Sequence, residues 1–269
     1  MAEARAADGT KLYYERTGAG APVLLVMGLG MNATGWWRTI PVLAEGLEVI
    51  AFDNRGAGRS DVPDGPYTAD LMADDAMAVL DAAGIEKAHV YGISLGGMIA
   101  QDIIVRHPDR VDRLVLGATT PGGPEHVAAD ADVLKVLGAR GTFTAELAAW
   151  VSVPINYARR TREQAGQRIA EDIQRRLRYP ITGKGYGGQL EVAMSWALDT
   201  GASAIAAPTL VVHGDEDVLV PPENGRLLAD LIPGATLRLW PGAAHLYPTD
   251  EPAADRAILE FLTNGLSGS

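Results

Sequence analysis

Short runs of consecutive apolar residues alternate along the chain with longer stretches in which apolar residues recur every three or four positions. The runs at 22–27, 47–52, 88–91, 114–117, 209–213 and 236–240 predict strands, several of them continuous enough for a parallel sheet buried on both faces. Between them, Leu71, Met72, Val79, Leu80 and Ala83, then Ile99, Ile103 and Ile104, then Leu227, Leu228 and Leu231 keep a helical period. Residues 11–16, with Leu12 and Tyr14 alternating against Tyr13 and Glu15, predict an antiparallel edge strand ahead of the first parallel one. Alternation of strand and helix predicts an α/β fold with a mostly parallel, doubly wound sheet.

The alternation stops between about 121 and 206, where no convincing strand occurs. Helical stretches fill this segment, one opened by a capping box at Thr161 and Gln164, and they give way to the glycine-rich 183–188. The organisation expected is a core of residues 1–120 and 207–269, with 121–206 as a helical lid inserted before the strand at 209–213. Between Arg159 and Lys184 eight basic residues face three acidic ones. A solvated helix face explains such a run, and attraction of an anionic substrate or partner is the sharper alternative. Residues 264–269 are expected to be a disordered tail.

Composition narrows the chemistry. The 269 residues include no cysteine, which excludes disulfides, cysteine nucleophiles and thiolate-held metals. A 47% hydrophobic content with 21% charged residues suits a large folded core. The net charge of −11 opposes binding to nucleic acid. The first eight residues lack the apolar region of a cleavable signal, and no run approaches the ~18 apolar residues of a membrane span. The expectation is a cytoplasmic monomer or homodimer without a membrane partner.

The strongest chemical signal is Gly92-Ile93-Ser94-Leu95-Gly96, set where a strand gives way to a helix. This is the G-x-S-x-G nucleophile elbow: a sharp turn exposes the serine, and flanking glycines permit close backbone approach. A serine needs a base, and of the five histidines His245 fits. It lies in the small-residue loop Pro241-Gly242-Ala243-Ala244-His245 after the last strand, where it projects over the C-terminal sheet edge. His89 sits at the wrong end of its strand, His107 in a turn, His126 in the insertion, and His213 at a strand end. The acid comes from Asp215, Glu216 and Asp217, with Asp217 favoured and Asp215 in reserve. No second histidine has the spacing to make this acidic cluster a metal site.

The order Ser94, Asp217, His245 resembles the α/β-hydrolase fold, in its branch of small lid-bearing esterases, lactonases and peptidases. Asp53-Asn54-Arg55-Gly56-Ala57-Gly58-Arg59-Ser60 is similar to that family's D-x-R-G-x-G-x-S loop, and Gly214-Asp215-Glu216-Asp217 to its G-x-x-D. Where the family usually has His-Gly after the first parallel strand, this chain has Met27-Gly28-Leu29. The resemblance implies an oxyanion hole from the N–H groups of Leu29 and Leu95. It also implies cofactor-free cleavage of carboxylic esters of small, mainly apolar substrates through an acyl-enzyme, with activity rising through roughly pH 6.5.

Hydrolysis of lactones, enol lactones or carbon–carbon bonds, perhydrolysis, and ligand binding without catalysis are the alternatives on the same scaffold. Substrate contacts are expected from Gly28, Met31, Trp36, Met98, Trp150, Tyr157, Trp196 and Leu246, with Trp37 and Tyr186 also near. A competing pattern is Gly28-Leu29-Gly30-Met31-Asn32-Ala33 followed by Asp53, which nearly completes a dinucleotide fingerprint. It leaves Ser94 and His245 without roles.

Overall fold

A computed structural model describes residues 2–198 and 201–264. Eight strands form one sheet: β1 Ala2–Arg5, β2 Lys11–Gly18, β3 Ala21–Val26, β4 Leu47–Phe52, β5 Ala88–Ile93, β6 Val111–Gly117, β7 Thr209–Gly214 and β8 Thr236–Trp240. Their spatial order is β1-β2-β4-β3-β5-β6-β7-β8. β1 and β2 run antiparallel, and every pairing from β4 to β8 is parallel. The predicted strands are all present. β1 is additional: its four residues bury only Ala4, too little to leave a pattern in the sequence.

The alternation of strand side chains splits the core in two. Leu24, Val26, Val90, Leu114 and Leu116 face the helices Ala69–Ala82 and Leu95–Arg106. Val23, Leu25, Tyr91, Ile93 and Val115 face the C-terminal helix Ala253–Asn264 on the other side. Both faces being covered explains why these strands read as unbroken apolar runs. The chain leaves β3 toward one edge through β4 and returns to its other side at β5. That reversal opens a crevice beyond the C-terminal ends of β3 and β5, the usual ligand position in open α/β sheets.

Between β6 and β7 the described residues form helices, among them Ala131–Ala139, Ala145–Val151, Arg159–Gln164, Gly166–Arg176 and Gly183–Ser195. Two local expectations are corrected here. Thr161 does not cap a helix but lies inside Arg159–Gln164, buried beside the Asp250 carboxyl. The glycine-rich 183–188 begins a helix, capped by Thr182, whose hydroxyl accepts from Gly185 N at 3.1 Å. Its glycines allow contact: a Cβ on Gly185 would collide with the Gly56 carbonyl oxygen, and one on Gly188 would meet the Tyr67 ring at 2.7 Å. Close packing has overridden the helix-weakening tendency of glycine. The expectation for the tail falls outside the described residues, except that Asn264 ends the last helix.

Candidate active site

Ser94 sits between β5 and the helix Leu95–Arg106 with φ 58° and ψ −123°, a left-handed conformation that few non-glycine residues adopt. Its backbone is clamped: N donates to Gly117 O at 2.8 Å, and O accepts from Thr119 Oγ1 at 2.7 Å. The turn is possible only without neighbouring side chains. A Cβ on Gly92 would strike the Gly96 carbonyl, and one on Gly96 would strike Val26 O on β3. Ser94 is partly exposed in an otherwise buried strand-to-helix junction, so strain here serves to present its hydroxyl.

Two further loops converge on it. Asp217, after β7, is fully buried; its Oδ1 accepts from Leu219 N and Val220 N, both at 2.9 Å. Its Oδ2 accepts from His245 Nδ1 at 2.9 Å. Burial pushes this carboxyl up, but the facing His245 and the bonds from His213 and His245 more than reverse that, holding it at about 2. His213 has a bracing position: Nε2 donates to Val220 O at 2.8 Å and lies 3.3 Å from Asp217 Oδ2. Asp215 accepts from Gly242 N at 2.7 Å and braces the His245 loop from outside. Because His245 Nδ1–H is committed to Asp217, Nε2 is left as the acceptor. Ser94 and His245 border one cavity of about 30 Å³. Among the described residues no hydrogen bond joins the two, a looseness common before substrate tightens such a site.

The loop after β3 completes the floor. A Cβ on Gly28 would lie 3.0 Å from Ser94 Cβ and 3.6 Å from its Oγ, so this glycine lets the loop lie against the nucleophile. Leu95 is the first residue of its helix, and its N–H has no intrahelical acceptor. The bracing that an imidazole would give at Met27 is supplied otherwise. Asn54 Nδ2 donates to Met27 O at 2.9 Å, while the buried Gln189 accepts from Gly30 N at 3.0 Å and donates to Arg55 O at 2.9 Å. No motif marked Gln189, which reaches the loop from the helical segment. Asp53 takes Ala33 N, Arg59 N and Arg59 Nε on its two oxygens, a scaffold role that leaves no carboxylate for a ribose.

A second cavity, of about 300 Å³, borders Ser94, Leu29 and Leu95 and is walled by Met98, Leu134, Leu137, Trp196 and Leu219. Of the expected substrate contacts, Met98 and Trp196 line this cavity, and Gly28, Met31 and Leu246 line the smaller one. Three expectations are corrected. Trp36 is core, 2% exposed and packed on Tyr91 with ring centroids 4.8 Å apart. Tyr157 is buried against Ile169, Ile173 and Leu246, its hydroxyl on Asp172 at 3.3 Å. Trp150 points to solvent, 48% exposed. Sequence reasoning missed Leu134, Leu137 and Arg140, ordinary helix residues whose inward face only the packing reveals. Among the described residues no cluster could hold a metal ion, and no helix is long and apolar enough to cross a membrane.

A strained serine after the central strand, with an Asp–His pair from two later strand ends, defines a hydrolase of the α/β type. The family model for the alpha/beta hydrolase fold matches residues 21–252, and the chain belongs to that family. It is similar to the 2-hydroxymuconate semialdehyde hydrolase of Pseudomonas sp. (strain CF600), 34% identical over 89% of this chain and 85% of the relative. The enol-lactonase of Burkholderia xenovorans LB400 superposes with a TM-score of 0.87 at 25% identity, over 98% of this chain and all of that one. A thermophilic esterase of Thermogutta terrifontis gives 0.84 at 29% identity, over 97% of each.

Proposed function

We propose that the protein is a serine hydrolase that cleaves the acyl–oxygen bond of carboxylic esters or lactones through an acyl-enzyme. The observation that carries this is the 2.9 Å bond from His245 Nδ1 to Asp217, with Ser94 on a strained elbow bordering the same cavity. Ser94 Oγ attacks the carbonyl while His245 Nε2 takes its proton, and Asp217, ionised across the working range, stabilises the imidazolium. The oxyanion forms against the N–H groups of Leu29 and Leu95, each such donor being worth about 10²- to 10³-fold in rate. His245 then protonates the departing alkoxide, and water repeats the cycle on the acyl-enzyme.

Helices of the 121–206 segment act as the lid, closing the larger cavity around an apolar group with Leu134, Leu137 and Trp196. Similarity to an enol-lactonase and an esterase favours oxygen esters, open or cyclic. The test is hydrolysis of p-nitrophenyl esters from acetate to decanoate by the parent and by Ser94→Ala. Turnover confined to the parent is expected. Equal turnover by both proteins, or none by the parent on esters and lactones alike, would overturn the proposal.

A further inference from the structure

Three arginines are buried among the described residues: Arg55, Arg140 and Arg176. Arg55 is the ordinary case, with Asp75 Oδ1 at 2.7 Å from its Nη2 and Asp8 Oδ2 at 3.0 Å from its Nη1. Arg140 and Arg176 differ. Among the described residues neither forms an ion pair, and Arg140 Nε and Arg176 Nη1 have no hydrogen-bond partner. Arg140 is 8% exposed and Arg176 7%, so both charges are withdrawn from water without a carboxylate to balance them, Tyr186 giving Arg140 only partial compensation. Asp172 lies one helical turn before Arg176, but its oxygens serve Trp37, Arg38, Tyr157 and Thr249. Burial lowers the Arg140 pKa; Tyr186 opposes this in part, and Arg176 adds a lesser lowering.

Their position is as unusual as their isolation. Arg140 borders the 30 Å³ cavity that holds Ser94 and His245, and also an adjoining 40 Å³ cavity that it shares with Arg176. No aspartate or glutamate lines either cavity. The backbone makes room for the guanidinium. Gly30, at φ +71°, stands where a Cβ would lie 2.9 Å from the Tyr186 ring and 3.4 Å from Arg140 Nη2. Tyr186 in turn is fixed by its hydroxyl, which donates to Leu137 O at 2.7 Å, and its ring centroid sits 5.2 Å from Arg140 Cζ. Several other basic residues of 159–184 are engaged elsewhere: Arg159 on Glu163, Lys184 on Asp64, Arg160 on Glu251 and Arg175 over the Trp37 ring.

We propose that Arg140, supported by Arg176, receives a carboxylate carried by the substrate, so that the preferred substrates are small monoanionic esters or lactones. This rests on the serine-hydrolase function above and adds a charge to its substrate. A cavity of 30 to 40 Å³ holds about two water-sized groups, enough for a carboxylate. The planar guanidinium fork matches a planar carboxylate in a bidentate pair. Ser94 then stands between two unlike sites, one cationic and small, one apolar and about ten times larger. The substrate places its acid in the first and its apolar part in the second.

The test pairs each anionic ester with its neutral twin. Mono-4-nitrophenyl glutarate is compared with 4-nitrophenyl pentanoate, its spontaneous hydrolysis subtracted, and O-butyrylglycolate with ethyl butyrate. The kcat/KM ratio of anionic to neutral ester is expected to reach at least about 10 in one pair, to fall to about 1 in Arg140→Met, and to recover partly in Arg140→Lys. A ratio at or below 1 in both pairs, or one that Arg140→Met leaves unaltered, overturns the proposal.

Calorimetry with monomethyl glutarate on Ser94→Ala separates this proposal from the hydrolase function. Binding lost in the Ser94→Ala, Arg140→Met double variant supports the carboxylate site even if no ester is turned over. Equal binding by both rejects it even if esters are cleaved. Thermal melts guard against misfolding: removing an unpaired buried charge should leave Tm equal or higher. A lower Tm in Arg140→Met with no recovery of the ratio in Arg140→Lys would mark a purely structural arginine and count against the proposal.

Discussion

The loops at the ends of the strands and the helices that cover them contribute to one site by different physics. The strand-end loops hold Ser94, Asp217 and His245 through backbone hydrogen bonds and glycine contacts that tolerate no substitution. The covering segment presents Leu134, Leu137 and Trp196 to the larger cavity chiefly through apolar packing, and is tied to the loop after β3 by the hydrogen bonds of Gln189. Under the proposed function, reaction type would reside in the first region and choice of substrate in the second. The largest effect should come from the first. Ser94→Ala should lower kcat/KM by at least about 10⁴-fold while thermal melts and circular dichroism stay those of the parent. Residual activity within 10-fold of the parent would show that the strand-end serine is not the nucleophile.

Next in size is the elbow itself. Gly96→Ala should cost several kcal/mol of stability, on the order of a severe backbone clash, because the new Cβ meets Val26 O with nothing flexible to yield. Gly187→Ala, in the covering helix, meets nothing within 4 Å. It should be neutral or stabilise by about 0.5 to 1 kcal/mol, since alanine restricts the unfolded chain and favours helix. Urea melts of the two variants measure the contrast. Similar losses in both would erase the distinction between a rigid frame and an adaptable cover.

That distinction also decides what could be read in the chain. The parallel strands, and the convergence of Ser94, Asp217 and His245, were legible because each obeys a local rule. A strand covered on both faces is an unbroken apolar run, and an elbow needs its glycines at fixed spacing. Trp36, Trp150 and Tyr157 were misplaced because an aromatic residue carries no local mark of whether it faces core, solvent or cavity. Arg140 was illegible for a related reason. Its setting, two cavities lined by neither aspartate nor glutamate among the described residues, is a property of the packing of segments far apart in the chain.

The frame also contains a carboxyl that works against stability. Asp255, in the C-terminal helix beneath the sheet, accepts from Thr39 Oγ1 at 3.0 Å and has no cation to pair with among the described residues. Burial raises its pKa from 3.8 to about 7, slightly offset by the Thr39 bond. The folded state thus holds the proton more tightly than the unfolded one. Its contribution is fully present below pH 3.8 and is lost as pH rises toward 7, amounting to about 4 kcal/mol by the linkage slope. Asp255→Asn should therefore melt higher than the parent at pH 8 and lose that advantage near pH 4. A difference in Tm that does not vary with pH would contradict the assignment.

Gln189 joins the two regions and should give a smaller, kinetic effect. Its side chain ties Gly30 N, one residue beyond the proposed Leu29 donor, to the Arg55 carbonyl. Gln189→Leu removes both bonds while keeping most of the volume. The expected loss is about 10-fold in kcat with KM little changed, equivalent to roughly 1.4 kcal/mol of transition-state stabilisation. A change in KM alone would mean that the helix shapes the cavity without positioning the oxyanion loop.

The smallest effects test the cover residue by residue. Trp150 and Trp196 both lie in the helical segment and both were candidates for substrate contact. Trp196 lines the 300 Å³ cavity and donates from Nε1 to Thr120 O at 3.2 Å, whereas Trp150 is turned to solvent. Trp150→Ala should leave kcat/KM within about 2-fold across the p-nitrophenyl series, because exposed side chains away from a site contribute little. Trp196→Ala enlarges the apolar cavity, so its preferred acyl chain should lengthen by two or more carbons as the removed indole is replaced by substrate. If Trp150→Ala shifted the chain-length optimum instead, the covering helices would have to rearrange on binding, and the wall seen here would not be the one that meets the substrate.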